Sequence, residues 1–230
     1  MCKMPIPTAP QAETRCTIRE RIYQTLLNWI VDGTLQPGEK ILDTEIAKYF
    51  ATSRTPVREA LQLLADQRLV EITPGRASRV TEIDSNQARS NYELMGHLNA
   101  LALDLLHVQI TDAFIEELCN SNRAMAAAIA QKDYPAIRAA DRAFHFAFVQ
   151  LVDNPFLTDF FTNLYAHCLR IENLYFSEKN DFSESICQHE MIVKALSDAD
   201  LDAAKQGLIK NWVHTIQNIE SLPPQHTYPQ

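Results

Sequence analysis

Glycine is scarce, with 5 in 230 residues, and the chain has neither a glycine-rich nucleotide loop nor a Gly-x-Ser-x-Gly elbow. With many Ala, Leu and Ile residues, that scarcity favours helix. No apolar run reaches the roughly 18–20 residues that span a bilayer. The start, Met1 to Pro10, carries prolines and Lys3 but not the apolar stretch of a secretory signal. The five cysteines, Cys2, Cys16, Cys119, Cys168 and Cys187, are odd in number and include no Cys-x-x-Cys pair. Without an export signal they read as free thiols in a cytoplasmic protein.

What is present is an uneven charge. The net charge is −8, yet residues 1–83 hold 11 Lys+Arg against 10 Asp+Glu, while residues 84–230 hold 10 against 19. The acidity belongs to the second part. A near-neutral first part with locally clustered arginines is compatible with phosphate binding. The expected organisation is a tail over 1–14, one domain over 15–83, a helical domain over 84–222 and a tail over 223–230.

In the first domain Ile18, Ile22, Leu26 and Ile30 recur every four residues, the stripe of an amphipathic helix. Gly33 stops it and Gln36-Pro37-Gly38 turns the chain. A short helix is expected from Asp43 to Phe50, capped by Asp43 or Thr44. In the next helix Thr55 is expected as N-cap and Pro56 as first helical residue. Val57, Ala60, Leu61 and Leu64 face a core, and Arg54, Arg58 and Gln62 face the other way. Guanidinium groups at a helix start with no full local counter-charge ask for an anion. Two helices joined by a tight turn, the second exposing arginine, form a helix-turn-helix. Residues 69–72 and 79–83 alternate as strands around Thr73-Pro74-Gly75, giving a β-wing on which Arg76 and Arg79 can meet DNA. The fold class is therefore mainly α: an N-terminal winged helix-turn-helix followed by an antiparallel α-helical bundle of six or seven helices.

Ser53-Arg54-Thr55-Pro56-Val57-Arg58-Glu59-Ala60-Leu61 resembles the recognition helix of the GntR family of bacterial regulators, and the pattern from Leu35 to Val80 resembles that family throughout. The resemblance implies that Arg54, Thr55 and Arg58 contact DNA and that Gly75 brings the wing backbone close to it, with Arg76 beside it. Thr44 stands where many members have a DNA-contacting arginine. The rest of the chain resembles the FadR-type C-terminal domain through Asp141-Arg-Ala-Phe-His145, Asn154-Pro155, and His189 followed by Ile192, Ala195 and Leu196. That domain is an antiparallel helical bundle that binds small effectors, often carboxylates and some through a divalent metal. Members are usually homodimers and most often repressors of an operator.

Helices read at about 85–108, 112–131, 134–152, 155–177, 183–197 and 200–221, with short connections that imply antiparallel packing. Asp141 and His145 lie four apart on one helix face, close enough to grip one ion. In a hairpin turning near residue 200, His189 comes level with position 211. Members with a metal usually have histidine there; this chain has Asn211, with His214 three residues on as a substitute. Zinc is the first choice for such a ligand set, with nickel or manganese as alternatives. Met95 and Asn99 replace an arginine and a glutamate common in the family. The effector-pocket candidates are His97, Asn99, His167, Arg170 and Tyr175. The competing readings are a metal-ion-responsive regulator and a metal hydrolase built on Asp141, His145 and His189. The second has no distinct general base and leaves the winged helix unexplained.

Overall fold

The structure is a computed structural model. It describes residues 17–106, 110–175 and 182–221. The expected tails, Cys2, Cys16 and the expected helix ends at 108 and 177 lie outside the described residues. The chain divides into two compact units, with the main boundary between Thr81 and Glu82.

The first unit contains α1 (Ile18–Val31), β1 (Lys40–Ile41), α2 (Asp43–Tyr49), α3 (Arg54–Asp66), β2 (Val70–Glu71) and β3 (Ser78–Val80). Ile22, Leu26 and Ile30 of α1 and Val57, Ala60 and Leu64 of α3 are fully buried. Each of the larger side chains contributes about 1.5–3 kcal/mol through burial. The wing differs from the expected two-strand hairpin: it is a three-stranded antiparallel sheet in the order β1-β3-β2. The added strand follows the Pro37-Gly38 turn, where Gly38 has φ +75°. There the Gly38 amide donates to the Val80 carbonyl and the Val80 amide to the Glu39 carbonyl, both at 2.9 Å. The two expected strands are shorter than their alternation suggested. Ile72 is 43% exposed, and Ile83 packs into the core of the second unit instead of extending the sheet.

Two expected helix starts also shift. Leu42 is the N-cap of α2 and Ser53 that of α3, neither with a side-chain cap bond. Asp43 is already the first residue of α2, and its Oδ2 accepts from Arg54 and Arg58. Pro56 still falls in the first turn of α3, where a missing amide hydrogen costs nothing.

The second unit consists, among the described residues, of six helices: α4 (Ser85–Asp104), α5 (Asp112–Gln131), α6 (Tyr134–Val152), α7 (Pro155–Tyr175), α8 (Ser183–Ser197) and α9 (Leu201–Ser221). Side chains of Asp84, Thr111 and Asp133 cap α4, α5 and α6 by accepting amide hydrogens at 2.8, 3.2 and 3.1 Å. Glycine being scarce, the left-handed residues that end helices here are Lys132, Asp153 and Ala199. α9 packs against α4 and α8, α5 against α6 and α8, and α4 also against α6 and α7. Tyr92, Met95, Leu118, Phe144, Phe148, Phe161 and Trp212 form the centre of this core.

A tight helix approach runs through Gly96 of α4. A Cβ there would lie 2.9 Å from the Ile209 Cα on α9, a backbone atom that cannot turn aside. Gly96→Ala should therefore destabilise the protein by about 1–3 kcal/mol, read from denaturant unfolding. A stabilisation instead, from the roughly 1 kcal/mol helix preference of alanine over glycine, would contradict this packing.

Candidate functional site

Two groups of chemically competent side chains emerge, one in each unit. In the first unit α3 exposes Arg54, Thr55 and Arg58 while its other face supplies the core. Contrary to the expectation of an uncompensated helix start, Asp43 Oδ2 accepts from Arg54 Nε (3.1 Å) and Nη2 (2.9 Å) and from Arg58 Nε (2.9 Å). Burial works to raise the Asp43 carboxyl, but the two arginines outweigh it and hold it below its ordinary value. Thr44 is exposed on α2. Gly75, at φ +76°, forms the exposed wing tip with Arg76, and nothing stands within 4 Å of where its Cβ would be. Lys40, Arg76 and Arg79 line one open concavity with Glu71 beside them. Arg79 is partly committed to structure, donating to the Gly38 carbonyl at 2.8 Å.

In the second unit Asp141 and His145 of α6 meet His189 of α8, and one ligand atom from each lies within 4.8 Å of the others. His189 Nε2 is 3.6 Å from Asp141 Oδ1. His189 is fully buried, stacked on Phe144 with ring centroids 3.8 Å apart, and His145 is 1% exposed.

Two asparagines set the proton on each ring. Asn99 Nδ2 donates to the His145 carbonyl at 2.9 Å, and Asn99 Oδ1 accepts from Trp212 Nε1 at 2.9 Å. The indole nitrogen only donates, so the oxygen of Asn99 is an acceptor. The His145 Nδ1 beside that oxygen at 3.0 Å must then carry the hydrogen. Likewise Asn122 of α5 donates Nδ2 to the Ile186 carbonyl at 3.2 Å, so its Oδ1 accepts from His189 Nδ1 at 3.2 Å. Both rings therefore keep a lone pair on Nε2. Burial keeps both neutral, pushing His145 down to about 3 and His189 well below its usual value. Burial also raises Asp141 to about 7.

His189 Nε2 is buried and has no hydrogen-bond partner among the described residues. A lone pair turned toward a carboxylate oxygen is uncompensated in an apolar core. A cation between His145, His189 and Asp141 satisfies all three, and outer hydrogen bonds of this kind are what metal-bound imidazoles use. The residues fit a divalent ion. Asn211 of α9 is buried, hydrogen-bonds to the His145 side chain and donates Nδ2 to Gln188 Oε1 at 2.8 Å. His214 is not brought to this cluster; its Nε2 faces Glu184 Oε2 at 3.1 Å and Asn218 Nδ2 at 2.8 Å. It sits three residues beyond Asn211, almost a full turn along α9, and an outer carboxylate holds it there.

Of the pocket candidates, Asn99 reaches the cluster. His97 is exposed. By helical spacing His167 and Arg170 lie on the other side of α7 from Tyr165, Cys168 and Glu172. The Tyr175 side chain lies outside those described. Sequence reasoning missed Asn122, Trp212 and Glu172. Asn122 continues the buried α5 stripe of Phe114, Leu118 and Met125, and Glu172 continues the buried α7 stripe of Phe161, Tyr165 and Cys168. A polar residue on an apolar stripe was the available signal. The Tyr92 hydroxyl lies 3.1 Å from the Cys168 carbonyl and 3.2 Å from Glu172 Oε1. The Tyr92 hydroxyl donates toward both acceptors, the Cys168 carbonyl and Glu172 Oε1. Burial, with the nearby Asp141 charge, raises Glu172 from 4.5 to about 8.

Glu172 thus binds its proton more tightly folded than unfolded, and its share of stability falls as pH rises from about 4.5 to 8. Glu172→Gln should melt higher than the parent protein at pH 8.5 and show no comparable gain at pH 5. Equal shifts at both pH values would refute a protonated Glu172.

The comparisons with known proteins come to the same two units. Residues 18–80 match the family model described as bacterial regulatory proteins, gntR family, and residues 91–210 match the FCD domain. The HTH-type transcriptional repressor RspR of Escherichia coli K12 is 25% identical over 205 residues, covering 89% of this chain and 90% of that one. The gluconate operon transcriptional repressor of Bacillus subtilis is 23% identical, covering 88% and 85%. Among solved structures, E. coli McbR/YncC superposes with a TM-score of 0.73 at 21% identity, covering 89% and 97%. A GntR regulator of Rhodococcus sp. RHA1 gives 0.72 at 19%, covering 92% and 99%. Among the described residues no helix is long and apolar enough to cross a membrane. The chain belongs to the GntR family: it is a DNA-binding transcriptional regulator, not an enzyme, in which a winged helix-turn-helix precedes an FCD domain.

Proposed function

We propose that this protein is a homodimeric, cytoplasmic repressor whose operator binding is controlled by a small organic acid held through a divalent metal in the FCD domain. The observation that carries this reading is the buried Nε2 of His189, without a hydrogen-bond partner among the described residues, in one cluster with Asp141 and His145. Asn211 is the fourth group in reach, through its amide oxygen, since its nitrogen is engaged by Gln188. Two imidazoles and a carboxylate suit zinc first, then nickel or manganese. When bound, the metal supplies a Lewis acid on which an effector carboxylate or hydroxyl can sit. The relatives named as gluconate operon repressors support a hydroxylated acid.

On the DNA side Arg54, Thr55 and Arg58 of α3 enter the major groove of each half-site, with Thr44, Gly75 and Arg76 at the flanking backbone. Effector binding favours one spacing of the two winged helices over another. A differential affinity of a few kcal/mol is enough to change operator occupancy.

Purified protein should carry about one divalent ion per chain by elemental analysis, and His189→Ala should lose it. Readdition of zinc to stripped protein should raise the melting temperature by roughly 5–10 °C at a hundredfold excess over its dissociation constant. No retained ion and no shift with zinc, nickel or manganese would overturn the metal. Release of operator by chelator alone, insensitive to organic acids, would make the ion itself the signal. Arg58→Ala should weaken binding to a selected operator duplex by about 1–3 kcal/mol, and Arg76→Ala should lower the salt slope by about 1. Unchanged operator affinity for Arg58→Ala would sink α3 as the reading helix.

A further inference from the structure

Arg54 and Arg58 do not meet Asp43 in the same way. All three hydrogen bonds converge on one oxygen, Asp43 Oδ2. Arg54 gives both Nε and Nη2, so the side edge of its guanidinium is consumed. Arg58 gives only Nε, which leaves its terminal Nη1/Nη2 fork without a partner among the described residues. Both arginines remain more than half exposed, at 52% and 64%, while Asp43 is 22% exposed.

Accepting α3 as the recognition helix, we propose that Asp43 is a positioning residue for DNA recognition. It holds Arg58 by Nε so that the terminal fork is presented to a guanine. The fork of arginine matches the O6 and N7 acceptors that guanine displays in the major groove. A side chain already fixed before contact loses less freedom on binding. The carboxylate has a second effect, because it offsets one of the two positive charges at the reading surface. Attraction to phosphate, which is blind to sequence, is reduced, and discrimination rises. Asp43 contributes by aligning Arg58 and by lowering non-specific binding, without itself touching DNA.

The test selects preferred sites from a random-sequence duplex library with the full-length parent protein and with Asp43→Asn, Asp43→Ala, Arg58→Ala and Arg58→Lys. The enriched duplex and a shuffled duplex are then titrated by fluorescence anisotropy at two salt concentrations, with circular dichroism melts as the check on folding. The parent motif should contain a guanine column in each half-site that Arg58→Ala loses. Arg58→Lys, which keeps the charge but has neither Nε nor a fork, should lose the same column. Both Asp43 variants should flatten that column and cut the preference for the enriched over the shuffled duplex roughly tenfold. Much of that loss should come from tighter, more salt-sensitive binding to the shuffled duplex. A folded Asp43→Asn that keeps the parent column and preference, while Arg58→Ala loses them, overturns the positioning role alone. Retention of the column by Arg58→Lys also overturns it. Retention by Arg58→Ala removes the recognition helix itself, and the proposal with it.

Discussion

The second unit depends on two buried imidazoles, one of which, His189, has an Nε2 with no hydrogen-bond partner among the described residues. His145 and His189 are buried where a charged ring is unstable, so both are neutral. A neutral ring donates at one nitrogen and accepts at the other. Asn99 and Asn122 take the donor side of each, and helices α4, α5, α6, α8 and α9 must hold their spacing for that to happen. The acceptor sides then converge with Asp141. Such an arrangement costs folding free energy unless something electropositive occupies it. The bundle is therefore built around a site whose stability and ligand occupancy are linked.

The first unit solves the opposite problem. There the charge is exposed, and the difficulty is an excess of positive groups at the start of α3. Asp43, delivered by the turn into α2, brings a counter-charge to Arg54 and Arg58. Exposed pairs of this kind add little to stability, so their value lies in geometry and not in folding. A reader of sequence sees the arginines at once, but their partner lies eleven and fifteen residues away and is found only by folding the turn.

Most of the architecture was legible because it rests on local rules. The starts of α5, α6 and α7 follow from Thr111, Asp133 and Asn154 as caps, and periodic Ile, Leu and Val residues marked the buried faces. The Asp141–His145 pair was legible from spacing along a single helix. Less accessible was what depends on neighbours in space. β1 exists only because Gly38 and Glu39 find Val80, and two residues are too few to show alternation. The pocket residues were assigned by position along helices without knowing each helix's rotation, so the exposed His97 was drawn in while Asn122, Trp212 and Glu172 were passed over. His214 was assigned on the premise that α9 was shifted or rotated, whereas Glu184 holds it outside the cluster.

The central claim is that His145 and His189 present Nε2 lone pairs to a cation shared with Asp141. Long-range ¹H–¹⁵N NMR of histidine-labelled protein reads the proton on each ring nitrogen directly. In metal-stripped protein at neutral pH the account predicts two neutral rings, both protonated at Nδ1. One equivalent of zinc should then shift both Nε2 resonances together while leaving Nδ1 protonated. Rings protonated at Nε2, or Nε2 resonances that ignore zinc, nickel and manganese alike, would contradict it.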